Sequence, residues 1–267
     1  MKKDAPFEYT RSHLLKLDFN MNFNILQFNV NSLKAHKHQL EKDSLIPSFH
    51  AVMLCETWLI KTDTIPEYDS HTPIRNDYVA ENRSQGLLMY VHKDFHIVKE
   101  CRPVAGVSFQ HQMIIIEPRL NVNLRICLVN LYIHPKCTSN QVIDDLERLF
   151  QNLPQGMPVY IGGDFNIDTL VQSSVSRKFK ALLRYYGLRA VNHRPTHFKG
   201  GSIDHIITNM NTSSMTVDMF STYYSDHLPV GLSIPMASLT FETDMHRAFA
   251  WISDVTGIPR SKTTALF

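Results

Sequence analysis

Two β-sheets packed face to face, with helices on their outer sides, form the α/β fold class that this sequence predicts. Nine short runs rich in β-branched and aromatic residues, at 22–29, 51–55, 86–92, 112–117, 123–133, 158–164, 202–208, 214–220 and 228–234, exceed what a single open sheet usually holds. A few helical patterns fall between them. Polar residues stand at the ends of several apolar runs, where buried strands run out.

The first run opens the domain at Asn22, after residues 1–21, which carry no period and read as an arm. A weak helical pattern covers Lys34 to Asp43. Ser139 to Asn152 places Val142, Leu146, Leu149 and Phe150 on one helical face. Ser174 to Tyr186 does the same with Phe179, Leu182, Leu183 and Tyr186, after a Ser-rich entry and before Gly187 as a left-handed stop. The domain is expected over 22–236, with a tail over 237–267 in which Phe241 to Val255 reads as a helix. One domain suits a chain of 267 residues with 43% hydrophobic content.

Net charge is only +2, from 27 Lys plus Arg against 25 Asp plus Glu, so the chain is no general polycation and any phosphate-binding surface must be local. Cys55, Cys101, Cys127 and Cys137 lack ligand-type spacing and read as reduced thiols. No apolar leader core or bilayer-length stretch is present, so an intracellular protein without membrane attachment, nuclear in a eukaryotic host, is expected.

The chemistry lies in the polar residues: Asn29, Glu56, Asp164, Asn166, Asp204, and Asp226-His227 after Ser225. Strand ends of a layered α/β protein converge on one crevice. Three carboxylates gathered there repel one another unless a cation neutralises them. Oxygen donors favour Mg²⁺ or Mn²⁺ over Zn²⁺, and Mg²⁺ keeps room for substrate phosphate, which points to phosphoester chemistry with no organic cofactor.

The ordered set Gln27-Phe28-Asn29-Val30-Asn31, Cys55-Glu56-Thr57-Trp58-Leu59, Asn130-Leu131-Tyr132, Gly163-Asp164-Phe165-Asn166, Ser202-Ile203-Asp204-His205 and Ser225-Asp226-His227-Leu228-Pro229-Val230 resembles the endonuclease/exonuclease/phosphatase superfamily over about residues 22–235. Glu56-Thr57-Trp58-Leu59 and Asn82-Arg83-Ser84-Gln85-Gly86 look like the endonuclease domain of LINE-type retrotransposons, with abasic-site repair endonucleases next. The resemblance implies a four-layered α/β sandwich holding Mg²⁺ at one mouth. It implies DNA cut to leave a 3′-hydroxyl and a 5′-phosphate, with a reverse transcriptase domain as partner in a longer polyprotein.

Roles follow from the chemistry and the resemblance together. Glu56 is the metal carboxylate, Asn29 an uncharged amide beside it, and Asp226 faces the metal side. Asp164 orients or deprotonates the attacking water. Asn166, two residues on along an extended segment, holds a phosphate oxygen, although an Asx-turn suits Gly-Asp-x-Asn as well. His227 donates to the phosphoryl oxygen while Asp204 holds its other ring nitrogen. Tyr132 reaches the scissile phosphate as the family pattern implies, Ser202 and Ser225 are turn residues with secondary claims as phosphate donors, His205 has no role, and Trp58 is an aromatic plug.

Arg75, Arg83, His193, Arg194, His197 and Lys199 are the loop residues expected against a DNA backbone. Asn31 stands where repair-type enzymes carry an acid, which weakens the repair reading, and Gly86-Leu87 stands where the retrotransposon pattern often pairs glycines. A phosphatase or lipid phosphodiesterase on the same scaffold, and a catalytically silent binding module, are the competing expectations. Phosphate release without nicking would favour the first, and absence of metal binding the second.

Overall fold

The computed structural model describes residues 21–77, 85–121, 123–137 and 139–239, and within them twelve strands form two six-stranded sheets. The first half of the chain gives β1 (Asn22–Asn29), α1 (Leu33–Glu41), β2 (Ala51–Cys55), β3 (His71–Asn76), β4 (Leu87–His92), β5 (Phe95–Cys101) and β6 (Gln110–Pro118). The second gives β7 (Ile126–Tyr132), α2 (Ser139–Gln151), β8 (Val159–Asp164), α3 (Ser174–Tyr185), β9 (Arg189–Ala190), β10 (Asp204–Thr208), β11 (Thr216–Met219) and β12 (Val230–Pro235). One sheet runs β11-β12-β1-β2-β4-β3 and the other β5-β6-β7-β8-β10-β9. The expected helix over Phe241 to Val255 and most of the expected arm lie outside the described residues.

Each sheet has a parallel pair at its centre, β1 with β2 and β7 with β8. Such strands are covered on both faces, which is why β2 reads as an unbroken apolar run and β7 as one interrupted only by Asn130. The three strands that sequence patterning misses, β3, β5 and β9, all lie at sheet edges. Edge strands have a solvated side and tolerate polar residues and proline, as Pro73 in β3 illustrates.

Side-chain alternation assigns the layers. In β1, Phe23 and Ile25 face the other sheet, whereas Leu26 and Phe28 pack beneath α1. In β7, Ile126 and Leu128 face inward, whereas Cys127, Val129 and Leu131 pack under α2 and α3. The result is four layers: helix, sheet, sheet, helix. Ser32 caps α1 by accepting the Ala35 N–H, and Ser173 caps α3 by accepting the Ser176 N–H. Gly163 is required by close packing, because a Cβ there would stand 2.1 Å from the Leu131 carbonyl oxygen. Among the described residues no helix is long and apolar enough to cross a membrane.

The layer between the sheets changes character along its length. At one end it is apolar, with Phe23, Ile25, Ile114, Ile116, Leu232 and Ile234. At the other, the same inward-facing register positions carry Gln27 and Asn29 on β1, Asn130 and Tyr132 on β7, Asp164 on β8 and Asp204 on β10. That polar mouth is the candidate site.

Candidate active site

Asp164 and Asp204 are directly paired across the antiparallel β8–β10 ladder, so two carboxylates share one register step. Asp164 is 1% exposed and Asp204 fully buried. Burial pushes the Asp164 carboxyl well above the ordinary carboxylate range, and the neighbouring Asp204 charge pushes the same way. Hydrogen bonds oppose that shift: Asp164 Oδ1 accepts the Asn166 N–H at 2.9 Å, and Oδ2 accepts from Asn29 Nδ2 at 3.0 Å.

His227 enters from the loop before β12. Its Nδ1 lies 2.8 Å from Asp204 Oδ2, and its Nε2 faces the mouth, 4.0 Å from Asp164 Oδ2 and 3.4 Å from Asn29 Nδ2. Burial alone would push the imidazole down. Asp204, then Asp164 and Asp226, outweigh it and raise the group to about 9, so the ring is cationic at neutral pH. Gln27 Nε2 reaches Asp204 Oδ1 at 3.4 Å from the other sheet.

Glu56 follows β2 in a left-handed conformation, φ 53°. Its Oε1 accepts from Asn29 Nδ2 at 2.8 Å and its Oε2 from the Trp58 indole at 3.2 Å. Asn29 is thus a bridge, with one amide nitrogen set between Glu56 and Asp164, while its Oδ1 accepts the Asn31 N–H at 3.0 Å. The turn carrying Glu56 is pinned by Thr57 N–H to the Gly86 carbonyl and Trp58 N–H to the Gln85 carbonyl. Gly86 (φ 113°) permits that approach, because a Cβ there would fall 2.3 Å from Thr57 Oγ1. The departure from paired glycines therefore retains the glycine that the geometry uses.

Tyr132 ends β7 with its phenol toward Glu56 and Asp164. Burial, followed by those two carboxylates, raises its pKa, so it is a neutral hydroxyl. Beside it, burial pushes the Cys55 thiol well up, which leaves it protonated. Asn31, Ser32, Glu56, Trp58 and Asn166, all at positive φ, cluster after β1, β2 and β8 at this one mouth. Backbone strain of this kind concentrates at functional sites.

Several expectations need correction. Asn166 does not continue an extended segment: at φ 50° it closes an Asx-turn, and its amide donates to the Ile133 carbonyl at 2.8 Å and to Asp164. Trp58 is no mere plug, because its indole N–H holds Glu56. Ser202 is fully buried and cannot present a hydroxyl to substrate. Ser225 is a brace whose hydroxyl donates to the Asn29 carbonyl at 2.8 Å and accepts the His227 N–H. Arg75 is tied to Asp77 and to the Asp63 and Ile60 carbonyls, and is not a free DNA contact.

Asp226 stands at the rim, its side chain 47% exposed, held by Asn31 Nδ2 at 3.2 Å and His197 Nε2 at 3.3 Å. His197 packs perpendicular to His227, and Arg194, His193 and Lys199 are exposed on the same loop. Arg83 lies outside the described residues. Sequence reasoning gave no site role to Gln27, Asn192 or Thr196, and read Asn31 only as a departure from the repair pattern. The Thr196 hydroxyl accepts the Ile203 and Asp204 N–H groups, and the Asn192 amide donates to the Asp204 carbonyl at 2.8 Å. Only Gln27 left a signal, as a polar residue two positions before Asn29 on an otherwise apolar strand face.

Glu56, Asp164 and Asp204 face one imidazolium, and among the described residues no Lys or Arg forms an ion pair with them. The excess negative charge fits a divalent cation. Two sets of ligand atoms among the described residues lie within 4.8 Å of one another, Asp164 with Asp204 and His227, and Asp226 with His197 and His227; Glu56, expected as the metal carboxylate, belongs to neither set and joins the mouth through Asn29.

No curated protein matches the sequence. The endonuclease domain of TRAS1, a telomere-specific non-LTR retrotransposon, has a similar structure, with TM-score 0.64 at 15% identity, covering 82% of this chain and 99% of that one. So does the AP endonuclease LMAP from Leishmania major, with TM-score 0.65 at 15% identity and coverage of 86% and 92%. An endonuclease/exonuclease/phosphatase from Bacteroides vulgatus superposes with TM-score 0.59 at 10% identity and coverage of 80% and 98%. The chain therefore carries the endonuclease/exonuclease/phosphatase fold, and its residues 126–231 match the family described as Endonuclease-reverse transcriptase.

Proposed function

We propose that this chain is a divalent-metal-dependent endonuclease that nicks DNA by hydrolysis, leaving a 3′-hydroxyl and a 5′-phosphate, of the retrotransposon target-site type. The observation that carries the reading is the meeting of Asp164, Asn29 and Glu56 with the Asp204–His227 pair at one mouth between the sheets. The match over residues 126–231 and the likeness to the TRAS1 endonuclease domain support the retrotransposon type, with a reverse transcriptase as the polyprotein partner. Asn31 at the rim supports it over the abasic-repair alternative.

Asp164 is the general base. Its raised proton affinity suits it to take a proton from the attacking water, and Asn29 and Asn166 fix its carboxylate for in-line approach to phosphorus. The water oxygen bonds to phosphorus, the P–O3′ bond breaks, and the departing 3′ oxygen takes a proton from solvent. His227 donates its Nε2–H to a non-bridging oxygen as charge grows there, and Asp204 keeps that proton in place. The Tyr132 hydroxyl, neutral and turned to Glu56, is a second uncharged donor at the mouth. A divalent ion, Mg²⁺ on this reading, would be held by carboxylates of the mouth, with Asp164, Asp204 and Asp226 in the clustered sets and Glu56 as the expected further ligand, and would supply Lewis-acid stabilisation of the phosphoryl charge.

Conversion of supercoiled plasmid to open circles in the presence of Mg²⁺ tests the reading. The parent nicks, and Asp164→Ala lowers the rate by about 10³-fold or more. Nicking that survives the substitution unchanged refutes the assignment.

A further inference from the structure

A second cationic feature lies on the outer edge of the β9-bearing sheet and reaches the end of β10 remote from Asp204, where Arg189 pairs with Thr208. The sequence of α3, Ser-Val-Ser-Arg-Lys-Phe-Lys-Ala-Leu-Leu-Arg-Tyr, carries four basic residues and no acid. Lys180 and Arg184, with Arg189 and His193 beyond the helix, line a groove of about 550 Å³ whose lining contains no carboxylate. Lys180 Nζ donates to the Thr169 carbonyl at 2.8 Å and Arg189 Nη1 to the Met210 carbonyl at 3.4 Å. Those bonds orient the cations and leave their charge uncompensated, because a carbonyl carries no net charge.

In a chain of net charge +2, three cations, Lys180, Arg184 and Arg189, with no carboxylate in the groove's lining make a local positive field, and like charges at helical i, i+4 spacing such as Lys180 and Arg184 repel. Such an arrangement becomes favourable when an anion occupies it.

Two loops link the groove's lining to the site. Thr169, on its wall, is five residues beyond Asp164 and donates its N–H to the Ser202 carbonyl, two residues before Asp204. His193, on the opposite wall, follows Asn192, whose amide braces the Asp204 carbonyl. Leu170, Leu183 and Leu188 provide apolar walls against which sugar faces can rest. We propose that this groove is a phosphodiester-binding track that holds the DNA backbone several nucleotides from the scissile phosphate. It rests on the endonuclease reading and adds to it a substrate footprint larger than the mouth.

The test compares the full chain with the triple variant Lys180→Glu, Arg184→Glu, Arg189→Glu. Binding to a fluorescent duplex of about 30 base pairs is measured by anisotropy over a salt series, and nicking is measured on plasmid and on a short duplex. A matched control reverses Arg119 and Arg125, which lie on the β6–β7 turn, with β8 and β10 between β7 and β9 in the same sheet.

The track predicts that the salt slope of binding falls by about 2–3, near 0.9 for each lost phosphate contact. Affinity for the long duplex falls at least tenfold, nicking of the short duplex stays within about threefold, and the control behaves as the parent. An unchanged salt slope, or equal losses on short and long duplexes, overturns the track while leaving the endonuclease reading intact. A parent that binds duplex DNA nowhere overturns both.

Discussion

The dipeptide Asp-His occurs twice in this chain, as Asp204-His205 and Asp226-His227, and the two copies face opposite ways. In the first, on β10, strand alternation sends Asp204 into the layer between the sheets. His205 goes behind it, where its Nε2 meets the Ile167 carbonyl at 3.2 Å and its ring packs on Phe165 and Phe179. In the second, in the loop before β12, His227 turns inward and Asp226 stays at the rim. Each pair thus gives one residue to the mouth, and the two that enter bond to each other.

Both histidines are buried, yet their proton affinities move apart. Burial lowers His205, and only a carbonyl bond and distant carboxylates oppose it. His227 meets the same penalty, but direct contact with Asp204 overcomes it. Identical sequence does not set the charge state; the partner does.

The sharpest way to break this contrast is to delete each ring. His227→Ala is expected to lower plasmid nicking on the order of 10³-fold, and His205→Ala to leave the rate per folded molecule within about threefold. Equal losses would mean that the core histidine supports the chemistry, or that His227 does not.

Next in size is the pH dependence. Asp164, with its folded pKa raised, must lose its proton to act as base, so nicking rises with pH above the ordinary carboxylate range. His227 must keep its proton, so nicking falls as pH passes through about 9. Asp204→Asn removes the partner that holds His227 up, and its titration moves toward the unperturbed value of about 6.5. At pH 8 the cationic fraction then drops about 30-fold, and the rate with it. NMR titration of the His227 ring protons checks the shift directly, and an alkaline limb that stays at its original position would show that His227 does not carry it.

Much of this mouth was legible in the sequence because of where strands end. Asn29, Glu56, Asp164 and Asp204 each close or open an apolar run, and inward-facing positions on buried strands carry polar side chains only with a reason. Loop residues that only brace the site were not legible. Thr196 and Asn192 act through hydrogen bonds to the backbone around Asp204, and no periodicity marks them. Asn166 misled because Gly-Asp-x-Asn spells both an extended segment and an Asx-turn, and its side-chain bond to the Ile133 carbonyl depends on β7 alongside. The edge strands β3, β5 and β9 escaped for the complementary reason: a solvated face erases the apolar pattern.

Stability separates the two pairs in the same order. His205→Ala removes a ring from a fully enclosed site between Phe165 and Phe179 and leaves the Ile167 carbonyl without its donor. The expected cost is about 2–3 kcal/mol, read as a lower denaturant midpoint at unchanged slope. His227→Ala removes a cation whose contact with Asp204 outweighs its burial and strands the fully buried Asp204 carboxylate, so at neutral pH its cost is expected to be the larger, about 3–5 kcal/mol. The opposite ranking would mean that Asp204 takes up a proton once its partner is lost.

The smallest effect concerns the residue left outside. Asp226 is kept at the rim by the Asn31 amide and by His197, whose Nδ1 accepts the Lys199 N–H and whose Nε2 therefore carries the proton toward Asp226. Asn31→Asp replaces a donor with a second acid at a left-handed position that Asp tolerates. Two facing carboxylates then repel until a cation bridges them, so divalent-ion affinity is expected to tighten severalfold, at a cost of about 1 kcal/mol in metal-free stability. Titration calorimetry with Mg²⁺ and with Mn²⁺ reads the change. If affinity is unaltered, Asp226 does not border the ion, and its tether to Asn31 serves only to hold the loop that delivers His227.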